Sequence, residues 1–463
     1  MNRAARIKHI ENIKNGEAFG KVELPWKDQL TSMYVYQVPL EYLVYNKYNG
    51  RILSRTKSLE TQGHMIDVES AEGKQLIEKL LWESKEDRNR KTLASLEKYG
   101  QEKIGIITKD GIVIDGNRRT MLLNKIPTKG YFKAVVLPVA LEDDPLEIEK
   151  LETSYQMGED EKLSYNPVEK YLKVKELMKK LASTCDEDEA IDKITEWMNE
   201  STTEIKKYIK IMETMDDYLE SLDYQGIYTQ LDGREDQFIS LTKWLNTFYD
   251  TESKKGFDGY SDTDVDDLKN IALDYIRAKH EGKSFRRLAD GNREKHLFGN
   301  EDVWMKFKEI HFDTIEPILD QEMVIDYDSK DIEAHLNDRD RQFMEKTEIF
   351  LDENLNDNYQ RIRNQAYKNE PEKLIKRAKV AVEAINPNLV TLLNSDDIQN
   401  EVKELSKTIG NLLLRSPLQT LEHICTLLEN IDFSKSQEDE EALLEQVAII
   451  NKVTFDLKKE LGG

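Results

Sequence analysis

The chain has 463 residues, 38% of them hydrophobic and 34% charged, with a formal net charge of −23. This composition excludes collagen-like, proline-rich and wholly disordered chains, and the length allows about three folding units with cores of their own. No apolar run reaches the about 18 residues a membrane span needs, and the opening MNRAARIKHIENIK lacks the apolar core of a signal peptide. A cytoplasmic protein with no membrane partner is expected.

Charge is unevenly spread. Residues 1–120 carry 21 Lys and Arg against 17 Asp and Glu, leaving −27 of the total −23 for the remainder. A phosphate polymer is drawn to basic surface, so the whole molecule does not read as a nucleic-acid coat, whereas a basic site in the first part is open. Cys185 and Cys425 are expected to be reduced, and the seven scattered histidines form no metal-binding spacing.

In chain order, residues 32–38 (SMYVYQV) alternate like a strand, and residues 73–83 and 89–99 have helical spacing, the second stopping at Gly100. Residues 103–108 (KIGIIT) and 112–114 (IVI) form a hairpin around Lys109-Asp110-Gly111, and a helix opens at Asp115 or Gly116. Beyond residue 144 the strand signal nearly vanishes. Helices are expected over 145–156, 167–182, 188–198 and 202–215, the last two spaced as a helix-turn-helix around Asn199-Glu200-Ser201. Residues 224–300 mix helices with glycine-rich breaks, and the chain after 301 is helix-patterned, with apolar residues at helical intervals over 339–369 and 443–461.

Chemistry concentrates in residues 108–126 (TKDGIVIDGNRRTMLLNKI). A strand runs into Asp115-Gly116, and Asn117, Arg118 and Arg119 occupy the first helical turn. Cations beside a helix N-terminus oppose its dipole, so two arginines there break a local rule that an external anion would restore. Gly116 permits close approach of a phosphate, Arg118 and Arg119 grip its oxygens, and Asp115 either caps the helix or holds Mg²⁺.

These residues resemble the ParB/sulfiredoxin superfamily. Its helix, strand-turn-strand and Gly-x-Arg-Arg motif appear in that order in TLASLEKYGQEKIGIITKDGIVIDGNRR. Residues 38–51 (VPLEYLVYNKYNGR) resemble the family's first box, with Asn46, Tyr48, Asn49 and Arg51 in place and Lys47 and Gly50 where it has prolines. Residues 152–177 are similar to the third box, whose Leu-Asn-Pro-x-Glu start matches LSYNPVE (163–169) with two residues inserted. Thr153 stands where partition proteins carry the asparagine that helps hold Mg²⁺.

The resemblance covers residues 30–220. It implies a nucleoside triphosphate, CTP or ATP, enclosed by the three boxes, with phosphates held by Arg51, Gly116, Asn117, Arg118 and Arg119, Thr153 nearby, and Mg²⁺ as a companion. It also implies a helix-turn-helix that is either a DNA contact or a purely structural helical pair; Lys206, Lys207 and Lys210 face outward on it while Glu200 and Glu204 oppose phosphate. For an enzyme, either a phosphotransferase or a nuclease, the candidate acids and bases are Asp115, Glu60 and Glu152. Glu60 and His64 fall in a polar stretch that reads as a solvated loop. The five tyrosines 34, 36, 42, 45 and 48 offer either strand packing or a base-stacking face.

The expected architecture is therefore an α+β ParB/sulfiredoxin-like domain (1–143), a helix-turn-helix-like bundle (144–222) and a large acidic all-α region (223–463). The expected function is a nucleotide-dependent switch, with slow NTP hydrolysis and DNA association as open additions; the alternatives are a phosphotransferase or nuclease, and a DNA-binding partition or phage-defence factor. The C-terminal helices are available for a homodimer or another protein partner.

Overall fold

The computed structural model describes residues 1–155, 166–249, 253–326, 332–386, 395–413, 416–431 and 440–461. They divide into two compact units, Met1–Asn369 and Glu370–Gly463. Leu163, Ser164 and Tyr165 of the third box, Gln156, and most of the connection over 157–166 lie outside the described residues.

The first unit opens with helix α1 (Arg3–Lys14) and a six-stranded mixed sheet. Its strands are β1 (Gly20–Trp26), β2 (Gln29–Pro39), β3 (Val44–Tyr45), β4 (Gly105–Ile107), β5 (Ile112–Asp115) and β6 (Tyr131–Val136), in the order β1-β2-β6-β4-β5-β3. Pairs β4–β6 and β3–β5 are parallel and the others antiparallel.

Both faces of the sheet are covered. Tyr36, Val38, Ile107, Val113, Phe132 and Ala134 enter a core with α1, α3 (Ala71–Glu83), α4 (Glu86–Tyr99) and α5 (Asn117–Asn124). Val35, Ile106, Ile114 and Val135 point the other way, to Leu24, Trp26 and the Ile148 and Leu151 of α6 (Pro145–Thr153). Because successive residues serve opposite faces, the central strands read as continuous apolar runs rather than as alternation.

The expected hairpin is present, with Gly111 at φ 82°. A second hairpin joins β1 and β2 through Lys27 and Asp28, both at positive φ. Sequence reading missed it, because Lys-Asp lacks the usual Asn-Gly signal and Pro25 interrupts β1. Proline is tolerated there because β1 is an edge strand.

The stretch read as a solvated loop is corrected at Glu60, which lies on helix α2 (Leu53–Thr61). Its buried side chains are Leu53, Ser54, Thr56 and Ser58, so small hydroxyls stand where an apolar stripe would have announced a helix. The sheet return that follows β5 through α5 to β6 was likewise not read.

A helical core follows. Helices α7 (Pro167–Leu181), α8 (Glu187–Met198), α9 (Thr202–Ser221), α10 (Glu235–Phe248), α11 (Asp262–Arg277), α12 (Gly282–Arg286) and α13 (Glu301–Leu319) share one core. The long helix α14 (Ile332–Glu383) joins it through Leu336, Phe343, Leu351 and Ile362. Trp197, Trp244 and Trp304 are buried there, whereas Trp26 belongs to the sheet. A buried charge network binds its parts: Asp340 accepts from Arg234 and Arg277, each at 2.9 Å, and from the Tyr224 hydroxyl at 3.0 Å.

Between α8 and α9, Asn199 adopts the left-handed conformation and Ser201 caps the Glu204 amide at 3.2 Å, as expected of the turn. The second unit contains α15 (Asp396–Leu413), α16 (Pro417–Glu429) and α17 (Glu440–Glu460).

Candidate phosphate-binding cavity

Strand β5 delivers the chain to Gly116, which begins α5 in the left-handed region at φ 105°. A side chain there would be strained, and its Cβ would lie 2.6 Å from Phe132 Cζ. Glycine lets the helix start press against β6. Gly116, not Asp115, is the N-cap, and no side chain caps the first turn.

A cavity of about 520 Å³ lies against this helix start. Gly116, Asn117, Arg118 and Arg119 line it with Asp115, and Arg51 joins them from the loop before α2. A volume of this size suits a small-molecule site. Apolar Val22, Leu24, Ile106 and Val135 also line it, and Tyr155 borders it.

The two arginines are differently engaged. Arg118 donates Nε–H to Asn89 Oδ1 and Nη2–H to Thr92 Oγ1 at 3.3 Å, which orients its guanidinium along α4. Arg119 donates to the Asp115 carboxylate and, at 2.7 Å, to the Lys103 carbonyl, so it ties the segment before β4 to the end of β5 as well as lining the cavity. Asn117 is buried and works as a splice: its Nδ2–H donates to the Val113 carbonyl at 2.8 Å and its Oδ1 accepts from the Asn46 amide at 2.9 Å.

The first-box loop is anchored by Glu152. This carboxylate, 3% exposed, accepts from Asn46 Nδ2 at 3.1 and 3.2 Å and from Asn49 Nδ2 at 3.4 Å. Asn49 Oδ1 in turn accepts from the Arg51 amide at 3.3 Å. Glu152 therefore supports the loop that carries Arg51 rather than lining the cavity. Beside it, Glu149 is buried between Lys173 and Lys180; burial opposes its charge, but the two ammonium groups hold its pKa down at about 2.

Glu60 and Thr153 are not brought to the cavity wall. Glu60 accepts from Lys47 at 2.6 Å and from the Tyr48 hydroxyl at 3.1 Å. Thr153 is buried, and its hydroxyl finds no hydrogen-bond partner among the described residues. The tyrosines 34, 36, 42, 45 and 48 are also absent from the wall, where Tyr155 stands instead. Tyr155, Lys103 and the α4 residues Thr92 and Ser95 were missed by sequence reading. The spacing of Asn89, Thr92 and Leu96 along one helix face was the available signal.

No protein-family model, curated protein or solved structure matches this chain. The likeness drawn from motif order stands on those residues alone. Among the described residues no helix is long and apolar enough to cross a membrane, and no group of three or more acidic, His or Cys side chains is placed to hold a metal. The Asp115, Glu152 and Thr153 donors do not fit Mg²⁺: Asp115 faces Arg119, Glu152 is occupied by two amides, and Thr153 lies outside the cavity wall.

The three lysines on α9 are exposed and locally engaged. Lys206 lies 3.9 Å from Asp188, Lys207 pairs with Glu204 at 3.1 Å, and Lys210 donates to Asn246 at 2.9 Å. The opposite side of α9 is packed through Ile205, Tyr208, Ile211 and Met215.

Proposed function

We propose that this chain is a nucleotide-binding switch of the ParB/sulfiredoxin kind, with phosphates held by Arg118 and the start of α5 and steadied by Arg51. One observation carries the reading: Arg51 and residues 115–119, from separate parts of the chain, converge on a single cavity of about 520 Å³. Its cationic end suits phosphate oxygens, and its apolar wall with Tyr155 suits a nucleobase. Position alone accounts for the arginines poorly, since a helix N-terminus favours anions.

The switch follows from where Arg51 sits. It directly precedes α2, and α2 is bound to the helical core: Lys57 pairs with Glu176 at 2.9 Å, and Ser58 Oγ accepts from the Thr229 amide at 3.2 Å. A ligand that draws Arg51 inward shifts the contacts between α2 and these helices.

An enzymatic role has less support, because only Asp115 of the three candidate acids lines the cavity and it is paired with Arg119. Isothermal titration with CTP and ATP tests the proposal. The wild-type chain binds one of them, and Arg118→Ala weakens that affinity at least tenfold, the scale of a lost charge-assisted hydrogen-bond pair (about 1.5–3 kcal/mol). Equal affinity in the variant removes the reading.

A further inference from the structure

The two edges of the sheet differ. Strand β3 ends it on one side with only two residues, whereas β1 ends it on the other with seven, and no backbone hydrogen bond crosses the outer side of β1 among the described residues. An edge of that length carries a row of unpaired N–H and C=O groups, which is a template for a further strand. Gly20, Lys21, Glu23 and Pro25 are exposed along it.

Its two ionic side chains share one face of the sheet. Lys21 stands opposite Tyr34 of β2 and Glu23 opposite Ser32, and the Lys21 ammonium lies 4.4 Å from the centre of the Tyr34 ring. That contact draws the lysine over the sheet and away from the open edge. Glu23 is exposed and forms no ion pair among the described residues.

We infer that β1 is a docking edge for a second copy of this chain, the two strands pairing antiparallel about a two-fold axis at Val22. The inference is independent of the nucleotide reading. In this register Val22 faces the partner's Val22, and Lys21 faces the partner's Glu23 on each side of the axis, so two cross-strand pairs of opposite charge form. A shift of two residues sets Lys21 against Lys21 in one direction and Glu23 against Glu23 in the other. The charges therefore select a single register.

Lysine and proline on an edge strand ordinarily deter association. Here the lysine is neutralised only when the incoming strand carries a carboxylate two residues on, as this chain does, and Pro25, which has no N–H to offer, ends the matched stretch at residues 20–24. About four to six backbone hydrogen bonds join a stretch of that length. The contact is small, of the transient class rather than the obligate one.

Helix α6 is fixed to the tip of the β1–β2 hairpin, where Glu147 accepts from the Lys27 amide at 2.6 Å and Asp144 pairs with the Lys27 ammonium at 3.2 Å. The two-fold axis carries the two tips, and both helices with them, to opposite ends of the joined strands. Val22 and Leu24 line the cavity of about 520 Å³, so the partner's Val22 continues that apolar face beyond the present edge.

Sedimentation velocity of the full chain from about 1 to 200 μM, the range of transient contacts, tests the pairing. The wild type is expected to show a concentration-dependent monomer–dimer equilibrium. Lys21→Glu and Glu23→Lys each set like charges opposite one another and are expected to weaken it about tenfold. Both positions are exposed, so the variants keep the sheet. An equimolar mixture of the two variants is expected to recover the wild-type affinity, because each supplies the charge that the other lacks. A wild type that stays monomeric throughout would overturn the pairing. So would variants that dimerise as the wild type does, which would put the contact on another face such as the C-terminal helices, or a mixture that associates no better than either variant alone.

Discussion

Glu169 is a buried carboxylate whose pKa has moved from 4.5 to about 7, with burial as the main cause and Asp232 adding to it, against the opposing pull of Ser54 and Arg55. The folded state therefore holds a proton that the unfolded chain has released between those two values, and stability falls as pH rises from about 4.5 to 7. The full effect is about 3 kcal/mol. Glu169→Gln removes it, so the variant's unfolding free energy gains on the wild type over that window; denaturant titrations at pH 5 and 7.5 check this, and parallel curves would refute it. His296 opposes the wild-type trend. Burial lowers its pKa from 6.5 to about 4, so its contribution is lost as pH falls through that range. Only the difference between variant and wild type isolates Glu169. At this scale the sequence was informative where chemistry is local: Gly116, Arg118 and Arg119 are neighbours in the chain and their mismatch with a helix start can be read directly. Glu169 was visible only as part of a box, because its burial and its partner Ser54 are set by a contact 115 residues away.

Helix α2 shows what periodicity cannot detect. Its buried face is built from Ser54, Thr56 and Ser58, whose hydroxyls donate to nearby backbone carbonyls or to Glu169, so no apolar repeat marks it. By contrast, α3 through α9 carry apolar residues at helical spacing, and each was legible within a few residues. Edge strand β1 was hidden by Pro25, whereas β6 was overlooked although Pro127 and Gly130 mark a turn before Tyr131. Glu152 on α6 links these levels, because Asn46 and Asn49 depend on it for the shape of the loop that presents Arg51. Glu152→Ala leaves two buried amides without an acceptor, and a loss of roughly 2–4 kcal/mol is expected in urea unfolding, together with weaker nucleotide binding. A carboxylate serving only as a catalytic base would show unchanged stability on the same substitution.

In the first unit, described side chains from Val168 to Ile362 share one helical core, and Asp340 joins α11, the segment before α10 and Tyr224. A chain cut after Leu222 removes Phe238, Leu241, Trp244 and Leu268 from contact with α9 and its neighbours, so helices α7 to α9 are expected to lose cooperative thermal unfolding by circular dichroism. A chain ending at Asn369 keeps that core and is expected to retain both the transition and the nucleotide affinity of the full protein. Retained cooperativity in the shorter chain would mean that α7 to α9 fold without the rest. The distribution of tryptophan offers a way to watch ligand binding pass between the sheet and the helices. Trp26 and Trp82 sit with the sheet, and Trp197, Trp244 and Trp304 sit in the helical core. Replacing the first two with phenylalanine would leave emission from the helices alone, so a nucleotide that alters this fluorescence would be reporting its arrival optically from across α2.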